Sequence, residues 1–134
     1  MTDMQKIEEY LKKSGTFYLA TVNGTQPRIR PVSIVILKDE VLYFGVGTFK
    51  EVYQQLRENP YVEICACQGG NWLRCYGKAV FEQNDTIANI ALNTYPRLQN
   101  IYNEKTGHTL GMFHLEDATV EFRGILDIKE KFTF

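Results

Sequence analysis

At 134 residues the chain has room for one domain, because two cores sharing that length would each be too small to fold well. Its hydrophobic fraction of 44% supplies a buried core, and 13% aromatics leave large rings for an interface or a planar ligand as well. With 15 basic and 16 acidic residues spread without like-charge blocks, the formal charge of −1 argues against a nucleic-acid partner and against a membrane-surface patch.

The first predicted element is a helix over residues 3–13. Thr2 is placed to cap it, Ile7, Tyr10 and Leu11 recur at helical spacing, and Ser14-Gly15 stops it. The period then changes to two. Thr16 to Val22 reads as a strand, Asn23-Gly24 as a hairpin turn, and Arg28 to Leu37 as one continuous second strand. After the polar turn Lys38-Asp39-Glu40, Val41 to Val46 completes a meander. A short helix is expected over Phe49 to Glu58, ended by Asn59-Pro60. Tyr61 to Gln68 and Asn71 to Phe81 form a hairpin about Gly69-Gly70, followed by a helix near residues 85–93 and a helical turn from Pro96. Met112 to Leu115 and Thr119 to Phe122 read as a closing hairpin. Six or seven antiparallel strands with short helices at the turns make a mainly β fold, a small barrel rather than a βαβ sheet.

Two segments carry groups suited to an anion. Thr48-Phe49-Lys50-Glu51 has the pattern of a capping box, with Thr48 as cap and Glu51 reaching back. Lys50 then stands in the first helical turn, where the macrodipole disfavours a cation by about 0.3–1 kcal/mol. A helix start with free amides, a Thr hydroxyl and a Lys suits a phosphate, and Gly45 and Gly47 let a ligand approach the backbone. A solvated surface lysine explains the segment equally well. Arg28 and Arg30, two apart on one strand, leave the same face, which Val32, Ile34 and Ile36 continue with apolar groups. Such arginines are either a solvated strand end or paired with an anion. The meander brings this strand beside Val41 to Val46, so the basic groups can converge.

A two-residue turn at Gly69-Gly70 pairs Cys67 with Trp72 and Cys65 with Arg74. One face of the hairpin then holds Tyr61, Glu63, Cys65, Cys67, Trp72, Arg74 and Tyr76, a mixture suited to a ligand or a subunit interface. The other holds Val62, Ile64, Ala66, Leu73, Cys75 and Ala79 and is core. That register puts Cys75 opposite to Cys65 and Cys67, and His108 and His114 match no zinc spacing, so no metal site is expected. No nucleophile–His–acid arrangement or carboxylate pair stands out, and no catalytic residue is assigned. The three cysteines contain no CxxC pair, which fits reduced thiols. The polar start and the absence of any apolar run near the roughly 20 residues that span a bilayer lead to the expectation of a cytoplasmic protein.

The order of Gln26-Pro27-Arg28-Ile29-Arg30-Pro31-Val32, Leu42-Tyr43-Phe44-Gly45, Thr48-Phe49-Lys50-Glu51-Val52, Asn59-Pro60 and Trp72-Leu73-Arg74-Cys75-Tyr76-Gly77-Lys78-Ala79 resembles the pyridoxamine 5′-phosphate oxidase-like FMN-binding split-barrel family. The likeness is to its short members, including the nitroimidazole-resistance type. It is close over residues 17–81 and looser beyond. The resemblance implies a six-stranded split barrel, a homodimer, and two FMN sites at the subunit interface. By the same resemblance, Arg28 and the Arg30-Pro31-Val32 backbone contact the phosphate and ring edge, and Lys50 is the phosphate lysine with Thr48 beside it. Phe44, Gly45 and Val46 line the ring. Asn71, Trp72 and Arg74 approach from the partner, with Trp72 as an aromatic wall. The longer vitamin B6 oxidases close with a basic, histidine-containing segment that residues 128–134 do not carry, so that activity is not expected.

The function expected on these grounds is FMN-dependent oxidoreduction of a small planar acceptor, the flavin supplying the redox chemistry. The alternatives are a non-enzymatic flavin module (carrier, sensor or store) and a split barrel that binds haem or a deazaflavin instead.

Overall fold

Short turns set the architecture of residues 1–134, all of which the computed structural model describes. Helix α1 (Asp3–Ser14) starts at Thr2 with a capping box to Gln5 and buries Ile7 and Leu11. Strands β1 (Phe17–Asn23) and β2 (Gln26–Val32) pair from Asn23↔Gln26 outward, with Gly24 at φ +64° in the turn between them. β3 (Val35–Lys38) and β4 (Val41–Gly47) are joined through Asp39 and Glu40, both at positive φ. After α2 (Glu51–Glu58), β5 (Tyr61–Gln68) and β6 (Asn71–Phe81) form the expected hairpin. Its register is Cys67↔Trp72 and Cys65↔Arg74, with Ile64, Ala66, Leu73 and Cys75 buried on the inner face. Helix α3 (Thr86–Thr94) and a 3₁₀ turn (Pro96–Asn100) precede β7 (Leu110–Arg123) and β8 (Ile128–Thr133).

The strands form one antiparallel sheet in the order β2-β1-β5-β6-β7-β4-β3, with β8 added on β7. β2 and β3 stand at opposite ends of that order, yet only Ser33 and Ile34 separate them in the chain. The sheet must therefore curl until its ends meet, which is a split barrel. A core cluster of 20 buried residues fills it, including Phe17, Phe44 and Phe113. A smaller cluster of 7 lies under α3, with Ile36, Ala91, Tyr102, Leu110 and Met112. No helix is long and apolar enough to cross a membrane.

Four local expectations are corrected. The second strand is not continuous over 28–37: it breaks at Ser33-Ile34, β2 pairing with β1 and β3 with β4. The face of Arg28 and Arg30 is consequently not prolonged by Ile34 and Ile36. Pro27 and Pro31 lack amide donors, which suits β2 to an outer position in the sheet order. The closing hairpin is instead a single 14-residue strand. Glu116-Asp117, which resembles a turn, is a bulge: pairing shifts between Tyr76↔Thr119 and Lys78↔Glu116, and Asp117 takes φ +50°. Gly77 lies opposite, where a Cβ would come within 2.9 Å of the Ala118 Cα. The true last strand is β8, whose alternation is weak because it is largely exposed, so the sheet has eight strand segments rather than six or seven.

The fourth correction concerns the start of α2. Thr48 does not cap it; Lys50 is the N-cap, in extended conformation and without a side-chain cap bond. The cause is β4, which runs on beside β7 as far as Gly47↔Leu110. Thr48 continues that course: its amide donates to the Thr109 carbonyl at 3.0 Å, and its hydroxyl lies 2.6 Å from the Thr109 hydroxyl. Glu51 therefore has no free Thr48 amide to reach.

Candidate functional site

Arg30 projects from β2 against β1 and α2. Its guanidinium donates to the Leu19 carbonyl at 3.1 Å, the Thr21 hydroxyl at 2.8 Å and the Gln55 side-chain oxygen at 2.9 Å. Thr21 and Gln55 are buried and bonded to each other at 2.6 Å, so the guanidinium is held in a fixed pose. Burial lowers the Arg30 pKa from its ordinary value; Glu51 opposes this and Arg28 adds to it. Arg28, Arg30 and Lys50 take part in none of the chain's ion pairs. A half-buried guanidinium bonded only to neutral acceptors retains an unmet preference for an anion.

Arg30 and Lys50 line the same cleft, of about 210 Å³. Pro31, Val32, Ser33 and Ile34 form one wall, and Gly45, Val46 and Gly47 of β4 form another. Leu98, Ile101 and Tyr102, from the segment after Pro96, close the far side. The lining thus holds two cations, no carboxylate and a strip of aliphatic groups. Gly45 and Gly47 leave no room for a side chain: a Cβ at Gly45 would lie 2.8 Å from the Met112 sulfur, and one at Gly47 would lie 2.8 Å from both the Phe49 ring and the Tyr102 hydroxyl. Cation donors beside an apolar slot fit a phosphorylated planar ligand such as FMN. A second cleft, of about 300 Å³ between α3 and the segment leading into β7, carries Asp85 and Glu104 without Lys or Arg, the wrong sign for a phosphate. Larger hollows lie against polar surface along α1 and beside Asn93 and Gln99.

Of the residues marked in the sequence, Arg30, Pro31, Val32, Gly45, Val46 and Lys50 meet in the cleft. Arg28 does not line it; its side chain is exposed and donates to Gln26 at 2.8 Å. Phe44 faces the barrel core, packed on Phe17 and Phe113, and Thr48 is engaged with Thr109. Asn71 accepts from the Lys129 ammonium at 3.2 Å, and Trp72 and Arg74 belong to a separate cluster. There the Trp72 ring lies between the guanidiniums of Arg74 at 4.9 Å and Arg123 at 5.1 Å, and Arg74 also meets Glu63 at 3.4 Å. Gly47, expected to give a ligand access to the backbone, also lines the cleft, whereas Ser33, Ile34, Val52, Leu98, Ile101 and Tyr102 were not marked as site residues. Leu98, Ile101 and Tyr102 stand at helical spacing after Pro96, an apolar face that signals something to cover.

The Trp72 cluster has a buried carboxylate, Glu121, which is 6% exposed. Arg123, bonded to it at 2.6 Å, holds its pKa below the usual carboxylate range against the opposing effect of burial; the Tyr76 hydroxyl, at 3.3 Å, and Arg74 assist. A depressed folded-state pKa gives stability that is present above the unfolded pKa and lost as pH falls through the folded one. Melting temperatures of wild type and Glu121→Gln are therefore expected to converge on acidification from the ordinary carboxylate range downward. Parallel curves over that range would contradict the assignment.

The family profile described as pyridoxamine 5′-phosphate oxidase matches residues 4–121. The chain belongs to this family. Among solved structures, a NimC/NimA family protein from Clostridium acetobutylicum superposes with a TM-score of 0.87 at 29% identity, covering 100% of this chain and 95% of that one. The family and this similarity agree with the short, nitroimidazole-resistance-type split barrel that the sequence resembles. A FAD-binding protein from Mesorhizobium loti has a TM-score of 0.60 at 16% identity, covering 89% of this chain and 92% of its own. A heme binding protein from Mycobacterium smegmatis has 0.69 at 16%, covering 99% of this chain and 59% of its own. At those identities the likeness is one of fold. No curated protein matches the chain by sequence.

Proposed function

We propose that the chain binds FMN as a homodimer and serves flavin-dependent oxidoreduction of a small planar acceptor. The observation that carries this is the cleft in which Arg30 and Lys50, neither paired with a carboxylate, stand beside the Gly45-Val46-Gly47 edge of β4. In this reading the two side chains hold the phosphate, while Val32, Ile34 and Val46 offer apolar contact to the ring system and shield it from water. Arg30 needs no reorganisation to do so, because Thr21 and Gln55 already fix it. The flavin, when bound, supplies the redox chemistry.

The dimer is supported by size and by surface. A cleft of about 210 Å³ falls below the roughly 300–1,000 Å³ typical of ligand sites, so one chain offers part of a site. Tyr18 and Tyr61 are 45% and 58% exposed on the outer face of β1, β5 and β6 that also carries Trp72, an aromatic surface suited to a second copy. Asn71, Trp72 and Arg74 of that copy are then the natural completion of the site. Haem is favoured less, since no His, Cys or Met lines the cleft and Tyr102 is its one side chain of a kind that ligates haem iron.

The test is an absorbance spectrum of the purified protein before and after addition of FMN, with sedimentation to give the mass of the species. A flavin spectrum on a dimer is expected. A protein that stays colourless with excess FMN, or that takes up haem alone, overturns the proposal. Turnover of a quinone or nitroaromatic with a reduced nicotinamide then distinguishes an enzyme from a flavin module.

A further inference from the structure

The segment after α3 brings one polar atom to the cleft that no sequence motif marks. Tyr102 is 8% exposed, and its ring is fixed by the apolar cluster under α3 and by Phe49, whose centroid lies 6.3 Å away. Its amide donates to the Leu98 carbonyl at 2.9 Å, which anchors the backbone. Its hydroxyl sits 2.8 Å from where a Cβ of Gly47 would stand, in the cleft that Arg30 and Lys50 line. Other tyrosines nearby are satisfied: the Tyr95 hydroxyl donates to the Val35 carbonyl at 3.0 Å, and the Tyr53 hydroxyl accepts from Arg57 at 2.7 Å. The Tyr102 hydroxyl has no hydrogen-bond partner in the chain. A phenol whose ring is fixed, and whose hydroxyl beside Gly47 is accessible and free of partners in the chain, is available to an acceptor seated in the cleft.

We propose that Tyr102 is a third donor to the ligand's anionic group, so that the cleft selects a phosphate monoester over the same ligand without its phosphate. Three terminal phosphate oxygens match three donors: a fixed guanidinium, a mobile ammonium and a fixed phenol. The hydroxyl is protonated and able to donate at neutral pH, as a tyrosine ordinarily is, and burial raises its pKa further. A second cation in that position would add charge; a neutral donor adds direction. The assignment rests on the flavin reading for the identity of the ligand, and on the orphaned hydroxyl for the role of the residue.

The experiment is a pair of titrations, FMN and riboflavin, followed by flavin fluorescence with wild type and Tyr102→Phe, alongside melting of the ligand-free proteins. Tyr102→Phe is expected to weaken FMN binding roughly 10- to 100-fold, the effect of removing a hydrogen bond to a charged group, and to leave riboflavin binding unchanged. Ligand-free melting should be unchanged or slightly raised, because no partner within the chain is lost. Equal FMN affinity in the two proteins overturns the assignment. Equal loss for both flavins, or a large drop in ligand-free melting, overturns it in favour of a packing role. Wild type that binds neither flavin overturns the flavin reading itself and this assignment with it.

Discussion

Lys50→Ala is expected to raise the dissociation constant for FMN by roughly 10- to 100-fold while leaving the melting temperature of the ligand-free protein nearly unchanged. The separation of the two effects follows from its surroundings. Lys50 is exposed at the N-cap of α2, makes no ion pair, and has only the Phe49 ring near its ammonium, at 5.8 Å. Nothing in the fold depends on it, so a change in ligand affinity reports the ligand contact alone. Arg30→Ala is the complementary case, since it also strips three hydrogen bonds from the β1–α2 junction, so it raises the dissociation constant and lowers the melting temperature together. Unaltered FMN affinity in Lys50→Ala, measured by fluorescence titration, would place the phosphate elsewhere.

Phe113→Ala should be the most destabilising of the substitutions considered, by about 3–5 kcal/mol. The side chain is wholly buried. It stands where β7 changes partners, opposite both Phe44 of β4 and Phe81 of β6. Its ring packs against those two at 5.8 and 5.3 Å, so truncation opens a cavity bounded by strands too constrained to collapse into it. A fall in melting temperature of about 10–20 °C follows for a domain of this size. A fall of only a few degrees in thermal unfolding would mean that the neighbouring rings refill the space. FMN should still raise the melting point of the variant, because Phe113 does not line the cleft.

The parts of the fold governed by local chemistry were legible in the sequence. Thr2 and Gln5 announce α1, and Gly69-Gly70 fixes the β5–β6 register to the residue. What was not legible depended on partners distant in sequence. Glu116-Asp117 has the composition of a turn, and only Gly77, forty residues earlier, lets Ala118 approach closely enough to make it a bulge. Thr48-Phe49-Lys50-Glu51 satisfies every local condition for a capping box, yet pairing of β4 with β7 claims the Thr48 amide first. The candidate site divides in the same way. Arg30 and Lys50 could be marked by their charge, whereas Tyr102 shows in sequence only its helical spacing from Leu98 and gains its place in the cleft through tertiary packing.

The junction at Ser33 and Ile34 ties the two ends of the sheet order together, and both residues lie in the cleft wall. A closed hoop with a single clasp opens at the clasp, and here the clasp lies in the wall of the candidate site. A ligand seated there bridges β2 to β4, two strands that are not paired to each other. Its binding energy therefore resists the uncurling of the whole hoop, and occupancy is converted into rigidity of the entire barrel rather than of one loop.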